Sequence, residues 1–420
     1  MTTPALDRVF REEWSAVVAT LVRRLGDLQR AEDAAQEAFV AAARTWGVDG
    51  VPPKPGAWLT VTAWRKAVDQ LRRDRSVSGP AADDALAAMI EEHDGVAEEM
   101  IATEDDQLRL IFTCCHPALA LEVRVALTLR YVAGLTTREI ASAFVLPEAT
   151  MAQRLVRAKR KIRQAGISFD GPGRDAVTER LTGVQSVVYL VFNEGYAATG
   201  GQQLVRGDLC DEAIWLGRLL HRLLPSDAET QGLLALMLLH HARSPGRQDD
   251  AGRPIALADQ DRRSWRHDMI DEGVAHLDAA MARRTPGPYQ AQAAIAALHA
   301  RAASFEATDW AQIAALYGEL ARRSPSSVIE VNRAVATGMA YGPRAGLAVL
   351  EPILTSGLLA GYAPLHAAHA DLLDRAGDTD AASVSWARAI EVTGNEVLRE
   401  ELRRRVGRRP VSGSGRESSA

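Results

Sequence analysis

Apolar residues along this chain recur three and four positions apart, and no sustained stretch alternates apolar with polar as a half-buried strand would. That pattern predicts an all-α protein. Breaks fall at Gly47–Gly56, Ser76–Ala82, Gly166–Gly173, Ser244–Pro254, Thr285–Pro288 and Val411–Ala420, where glycine, proline and small polar residues gather. They divide the chain into a module at 1–76, a linker at 77–107, a second module at 108–166, a long helical region at 167–410 and a Gly/Ser-rich tail at 411–420 that is expected to be disordered.

The second module carries the sharpest local signal. A helix through Leu121, Val125, Leu129 and Val132 is expected to stop at Gly134, a residue free to adopt the left-handed conformation after a helix end. Thr136-Thr137-Arg138-Glu139 has capping-box spacing and predicts a short helix with Ile140 and Phe144 turned inward. Pro147 suits the first position of the next helix, and Glu148 complements its positive end. In that helix Met151, Leu155, Ala158 and Ile162 share one narrow face. Thr150, Gln153, Arg154, Arg157, Arg160 and Lys161 cluster opposite. Guanidinium forks suit guanine edges and phosphates, and a glutamine can pair with adenine, so the pattern is that of a helix-turn-helix reading a major groove.

Charge sharpens this picture. The whole chain of 420 residues has a net charge of −5, which taken alone argues against nucleic-acid binding. Residues 1–166, however, hold 22 Lys/Arg and 23 Asp/Glu, and ten of those acids lie in Ser76–Leu108, which contains no Lys or Arg. Two basic modules joined by an acidic strap can hold DNA with the modules. The three cysteines, Cys114, Cys115 and Cys210, lack C-x-x-C spacing and fit a reducing compartment. With no apolar h-region at the start and no run approaching the ~20 residues of a membrane helix, the protein is expected to be cytoplasmic and unanchored.

In the first module, Glu32-Asp33-Ala34-Ala35-Gln36-Glu37-Ala38-Phe39, ending at Trp46, resembles the most recognisable segment of RNA polymerase sigma factors of the extracytoplasmic-function type. The resemblance implies that Glu32, Asp33, Gln36 and Glu37 bind core polymerase. The segment from Pro55 through Trp58 and Trp64 to Arg73 is similar to the family's promoter-melting helix and its preceding loop. By that likeness Trp58, Arg65, Lys66, Arg72 and Arg73 are the candidate minus-ten contacts, although for Trp58 and Trp64 core packing is the favoured reading. Residues 134–163 resemble the family's minus-thirty-five reader, which assigns Thr150, Gln153, Arg154, Arg157, Arg160 and Lys161 to that element. Core RNA polymerase and promoter DNA are the partners implied. A DNA-binding regulator with a sensor domain that never enters polymerase is the alternative.

The region beyond Gly166 exceeds what such a factor needs. Tyr189 to Ala197 resembles a motif of a subgroup whose extension is all-helical and tetratricopeptide-like, and that likeness implies a cytosolic regulatory protein of the DGPF/YCII-related type as a further partner. Tyr341–Leu347 can be laid over Asp378–Val384 at an offset of 37 residues, near the ~34-residue tetratricopeptide period. Asn193, Glu194 and Tyr196 form a polar cluster better read as a helix end than as an acid/base pair. His240-His241 and His366-x-x-His369 lack a third ligand at convincing spacing. Neither cofactor nor enzymatic activity is expected.

Overall fold

The computed structural model describes residues 3–78, 104–144, 146–169, 171, 177–196 and 206–407. The expected tail at 411–420 and most of the acidic linker lie outside these. Eighteen α-helices account for nearly all of what is described. The single isolated bridge, Gln248 to Pro254, belongs to no strand. The chain forms two compact units, residues 1–190 and 191–420.

The first unit begins with α1 (Thr3–Leu25), α2 (Leu28–Asp49) and α3 (Pro55–Ser78). Asp27 starts α2 by accepting from the amides of Gln29 at 2.7 Å and Arg30 at 3.0 Å, which satisfies two donors the helix leaves open. Trp14, Val17, Val18 and Leu21 of α1 pack with Ala31, Ala35, Ala38 and Phe39 of α2 and with Leu59, Ala63 and Val68 of α3. Phe10 stacks on Trp14 with ring centres 4.9 Å apart, and Phe39 meets Phe10 edge-on at 4.9 Å.

Next come α4 (Glu104–Cys114) and α5 (Leu121–Leu127), the latter widening into a π turn over Thr128–Val132. Gly134 follows with φ of +79°, and a Cβ there would stand 2.8 Å from the Phe10 ring. Glycine is therefore required twice, for the left-handed backbone and for the close approach of α1. The helices α6 (Thr137–Ala143) and α7 (Glu148–Gln164) complete the helix-turn-helix. Thr136 and Glu139 form the expected capping box. Pro147 stands one residue earlier than expected, at the cap position with φ of −60°, where its fixed backbone still leads into the helix.

Helix α8 (Val177–Tyr196) spans the boundary between the units. The second unit continues through α9 (Gly207–Leu223), α10 (Ala228–His241), α11 (His267–Ala282), α12 (Pro288–Arg301) and α13 (Trp310–Arg323). Then α14 (Ser327–Tyr341) pairs with α15 (Pro343–Ser356), and α16 (Ala363–Ala376) with α17 (Thr379–Val392), before α18 (Glu396–Gly407). The sequence overlay at an offset of 37 sets Gly342 opposite Thr379, whereas the joint glycines of these two hairpins, Gly342 and Gly377, both at positive φ, stand 35 apart. Close approach is visible at Gly346, where a Cβ would lie 2.7 Å from the Ala334 carbonyl. Val331, Ala334, Leu350, Ile353, Leu365 and Leu372 form the core shared by successive pairs.

Candidate nucleic-acid interface

On α7, Met151, Leu155, Ala158 and Ile162 are all buried, as their spacing predicts. Gln153, Arg154, Arg157, Arg160 and Lys161 are exposed and Thr150 is half-buried. None of the four cations in that set makes an ion pair with another described residue. Arg154, Arg157 and Lys161 line a groove of about 370 Å³ against Glu122, Val123 and Ala126 of α5. A solvated, uncompensated cationic face of this kind attracts phosphate and leaves its forks free for base edges.

The remaining bases of α7 behave differently. Lys159 lies on the far side of the helix, 3.7 Å from the Glu32 carboxylate, and also donates to Gln29. Arg163 reaches Asp27 at 3.2 Å. Sequence reasoning gave neither of them a role, because the pairing depends on α2 being packed beside α7.

Glu32 lies at the centre of this contact. It was expected on the polymerase-binding face, but its carboxylate is buried, with 5% of its surface exposed. Arg130 donates to it, Tyr131 donates its hydroxyl at 2.9 Å, and Lys159 adds the third positive or polar neighbour. The same carboxylate helps push the Tyr131 phenol well above its usual range, after burial. A buried carboxylate is tolerated where donors surround it this closely. Here it ties α2 to the second module rather than facing solvent.

The other three residues of that set stay outward. Gln36 and Glu37 are exposed, and Asp33 is half-buried with Gln29 donating to it at 2.7 Å. They line a groove of about 510 Å³ together with Val40, Ala41, Arg44, Lys66 and Gln70. Val40, 51% exposed in the middle of these polar groups, and Arg44 were not singled out from sequence. Val40 lies one turn and Arg44 two turns beyond Gln36 and Glu37, and that spacing was the available signal, since residues three and four apart are neighbours on a helix. An apolar centre ringed by charge is the anatomy of a protein-binding surface.

On α3, Arg65, Arg72 and Arg73 are exposed and Lys66 is half-buried. Arg72 lies 4.0 Å from Asp69, and Arg73 donates to the Asp69 carbonyl at 3.2 Å. Trp58 packs edge-on against Trp46 at 5.2 Å, and Trp64 is buried beneath Arg24. Both tryptophans thus have packing roles, and Trp58 keeps a half-open face.

Residues 9–77 match the family described as Sigma-70 region 2, and residues 109–162 match Sigma-70, region 4. A sigma-H factor of RNA polymerase from Pseudomonas aeruginosa is 30% identical over 169 residues, covering 38% of this chain and 86% of that protein. The chain belongs to the RNA polymerase sigma factors. It is of the extracytoplasmic-function type with a C-terminal extension, and its partners are core RNA polymerase and promoter DNA. A sigma factor named SigK from Mycobacterium ulcerans is 29% identical over 148 residues, which is 35% of this chain and 78% of that one. The likeness to an uncharacterized protein, R00370, of Rhizobium meliloti extends much further, with 43% identity over 380 residues, 90% of this chain and 89% of its relative. Residues 180–281 match a family of unknown function, DUF6596. No solved structure matches the chain.

Proposed function

We propose that this sigma factor divides its work among three surfaces. Glu32, Asp33, Gln36 and Glu37, with Val40 beside the outward three, engage core polymerase. Trp58, Arg65, Lys66, Arg72 and Arg73 meet the minus-ten element, where a charged track and an aromatic face suit a separated strand. Thr150, Gln153, Arg154, Arg157, Arg160 and Lys161 read the minus-thirty-five element. The observation that carries this reading is the exposed cationic face of α7, opposite its four buried apolar residues and free of acidic partners.

The domains assigned on this reading are 1–76 for polymerase and minus-ten binding, 77–107 for the linker, 108–166 for minus-thirty-five binding and 167–410 for a regulatory extension. The two promoter elements lie about 25 base pairs apart, or roughly 85 Å at ~3.4 Å per pair. Modules joined through the buried Glu32 must part to reach both, so opening of that contact belongs to promoter engagement. The extension modulates this step from the cytoplasm, with a DGPF/YCII-related protein as its partner, and the factor itself performs no covalent chemistry. No described helix is long and apolar enough to cross a membrane.

Run-off transcription with purified core polymerase and the full chain tests the reading, using candidate promoters that include the one before its own gene. A discrete transcript dependent on the protein is expected. Absence of both a transcript and co-purification with core would instead favour a DNA-binding regulator that works outside polymerase.

A further inference from the structure

The second unit holds a concentration of basic side chains that promoter recognition leaves unused. Arg243 and Arg247 follow the C-terminal end of α10, Arg262 starts a short 3₁₀ turn, and His299 comes from α12. Arg243 and Arg262 both lie over the buried Trp265 ring, at 5.3 and 4.8 Å from its centre. Arg247 covers Tyr196 at 3.7 Å, and Tyr196 meets His240 edge-on at 5.0 Å. Each guanidinium influences the next: Arg243 acts electrostatically on His240, Arg247, Arg262 and His299.

No described acid is paired with these charges. Among the described residues, no carboxylate lies within 4.0 Å of Arg243, Arg247 or Arg262, because the acids nearby in sequence are committed elsewhere. Glu194 pairs with Arg206 at 3.7 Å, Asp211 with His241 at 3.0 Å, Asp249 with Arg253 at 2.5 Å and Asp261 with Arg263 at 3.1 Å. Glu306 acts on Arg262 only from an exposed position. The bonds the three arginines do make go to neutral oxygens, as from Arg243 to Gln260 at 3.4 Å and from Arg262 to the Ala302 carbonyl at 3.0 Å. Within the cluster, six buried polar atoms have no hydrogen-bond partner among the described residues: His240 Nδ1, Arg243 Nε, Ser244 Oγ, Arg262 Nη2, Trp265 Nε1 and His299 Nδ1.

Buried polar groups in folded proteins are almost always satisfied, and partly buried like charges repel unless an opposite charge joins them. Fold stability alone gives no reason to gather three guanidiniums here. The arginines and both histidines are only half-buried, so a small solute can reach the group's outer edge. Planar guanidinium forks beside indole and imidazole N–H groups match the oxygens of a phosphate or carboxylate. Metal is the wrong ligand for a cluster of cations, and the described residues contain no group of three metal-binding side chains.

We propose that this cluster is the binding site for a small anionic effector carrying a phosphate or carboxylate group. Arg243 and Arg262, clamped on the two contacts to Trp265, form its centre, and Arg247 and His240 flank it. The residues lie within the part of the chain that matches the family of unknown function, except for His299.

Calorimetric titration of the full chain with inorganic phosphate, and separately with citrate, tests this against sodium chloride at equal ionic strength. Saturable binding of at least one anion is expected, and the arm that responds identifies the ligand class. Arg243→Gln and Arg262→Gln should each weaken it about tenfold or more, the loss of one charged hydrogen bond. Arg253→Gln, outside the cluster, should bind as the parent does. If a glutamine variant fails to fold, Arg243→Lys keeps the charge without the fork and should show the same loss. No saturable binding of either anion, or unchanged affinity in the folded variants, overturns the proposal. Binding is read without polymerase, so it stands or falls separately from any effect of the extension on initiation.

Discussion

A carboxylate that is 5% exposed survives because Arg130, Tyr131 and Lys159 surround it. Glu32→Ala leaves Arg130, itself 13% exposed, without its counter-charge, and removing one partner from such a pair typically costs ~3–5 kcal/mol. Urea unfolding followed on the full chain should show that loss, and an unshifted midpoint would mean the network contributes nothing to the closed arrangement. Arg154 has the opposite character, with its fork in solvent and no acid to hold it. Arg154→Ala is expected to weaken binding to a minus-thirty-five duplex by ~1–3 kcal/mol and to relax preference at one base, as read by fluorescence anisotropy across a set of single-base variants. Asp33→Ala should impair association with core polymerase and leave that duplex binding unchanged.

Short elements depend on their ends. The seven-residue helix α6 begins at the reciprocal bonds between Thr136 and Glu139, at 3.2 Å to the Glu139 amide and 2.7 Å back to the Thr136 amide. Thr136→Ala should destabilise this turn by about 1 kcal/mol, visible as faster hydrogen exchange of the Glu139 and Ile140 amides. Helices α10 and α12 carry a pH dependence of definite sign. Burial, aided by nearby guanidiniums, holds His240 down to about 3 and His299 down to about 4, below the ordinary 6.5. The unfolded chain therefore binds more protons than the fold between these values. Stability is full above pH 6.5 and falls as the solution is acidified toward 4, by about 1 kcal/mol per histidine per pH unit. Urea midpoints of the second unit at pH 7.5 and 5.0 check this, and equal midpoints would place both rings in a solvated environment.

For the whole molecule, ending the chain at Gly166 should change run-off output from a fixed promoter, since the extension is expected to modulate initiation. Unchanged output would leave the extension without that role. The helical class, the helix-turn-helix, its capping box and the outward cationic face of α7 were all determined by the sequence, because each depends on residues within one or two turns of each other. The repeat near the C-terminus was legible only to within two residues, because the overlay missed that Gly342 and Gly377 occupy the two hairpin joints. Contacts between distant segments were not. Glu32 reads on paper as one more solvated acid, and only the packing of α2 beside α5 and α7 turns it inward onto residues about a hundred positions away. Val40 gained meaning when α2 and α3 set it in one groove with Lys66. In the same way Arg243, Arg247 and Arg262 look like ordinary surface bases until folding gathers them around Trp265 and Tyr196 with no described acid paired to them. Periodicity reports which side of a helix is apolar, whereas the partner of a charge is fixed by which helices come to lie beside it.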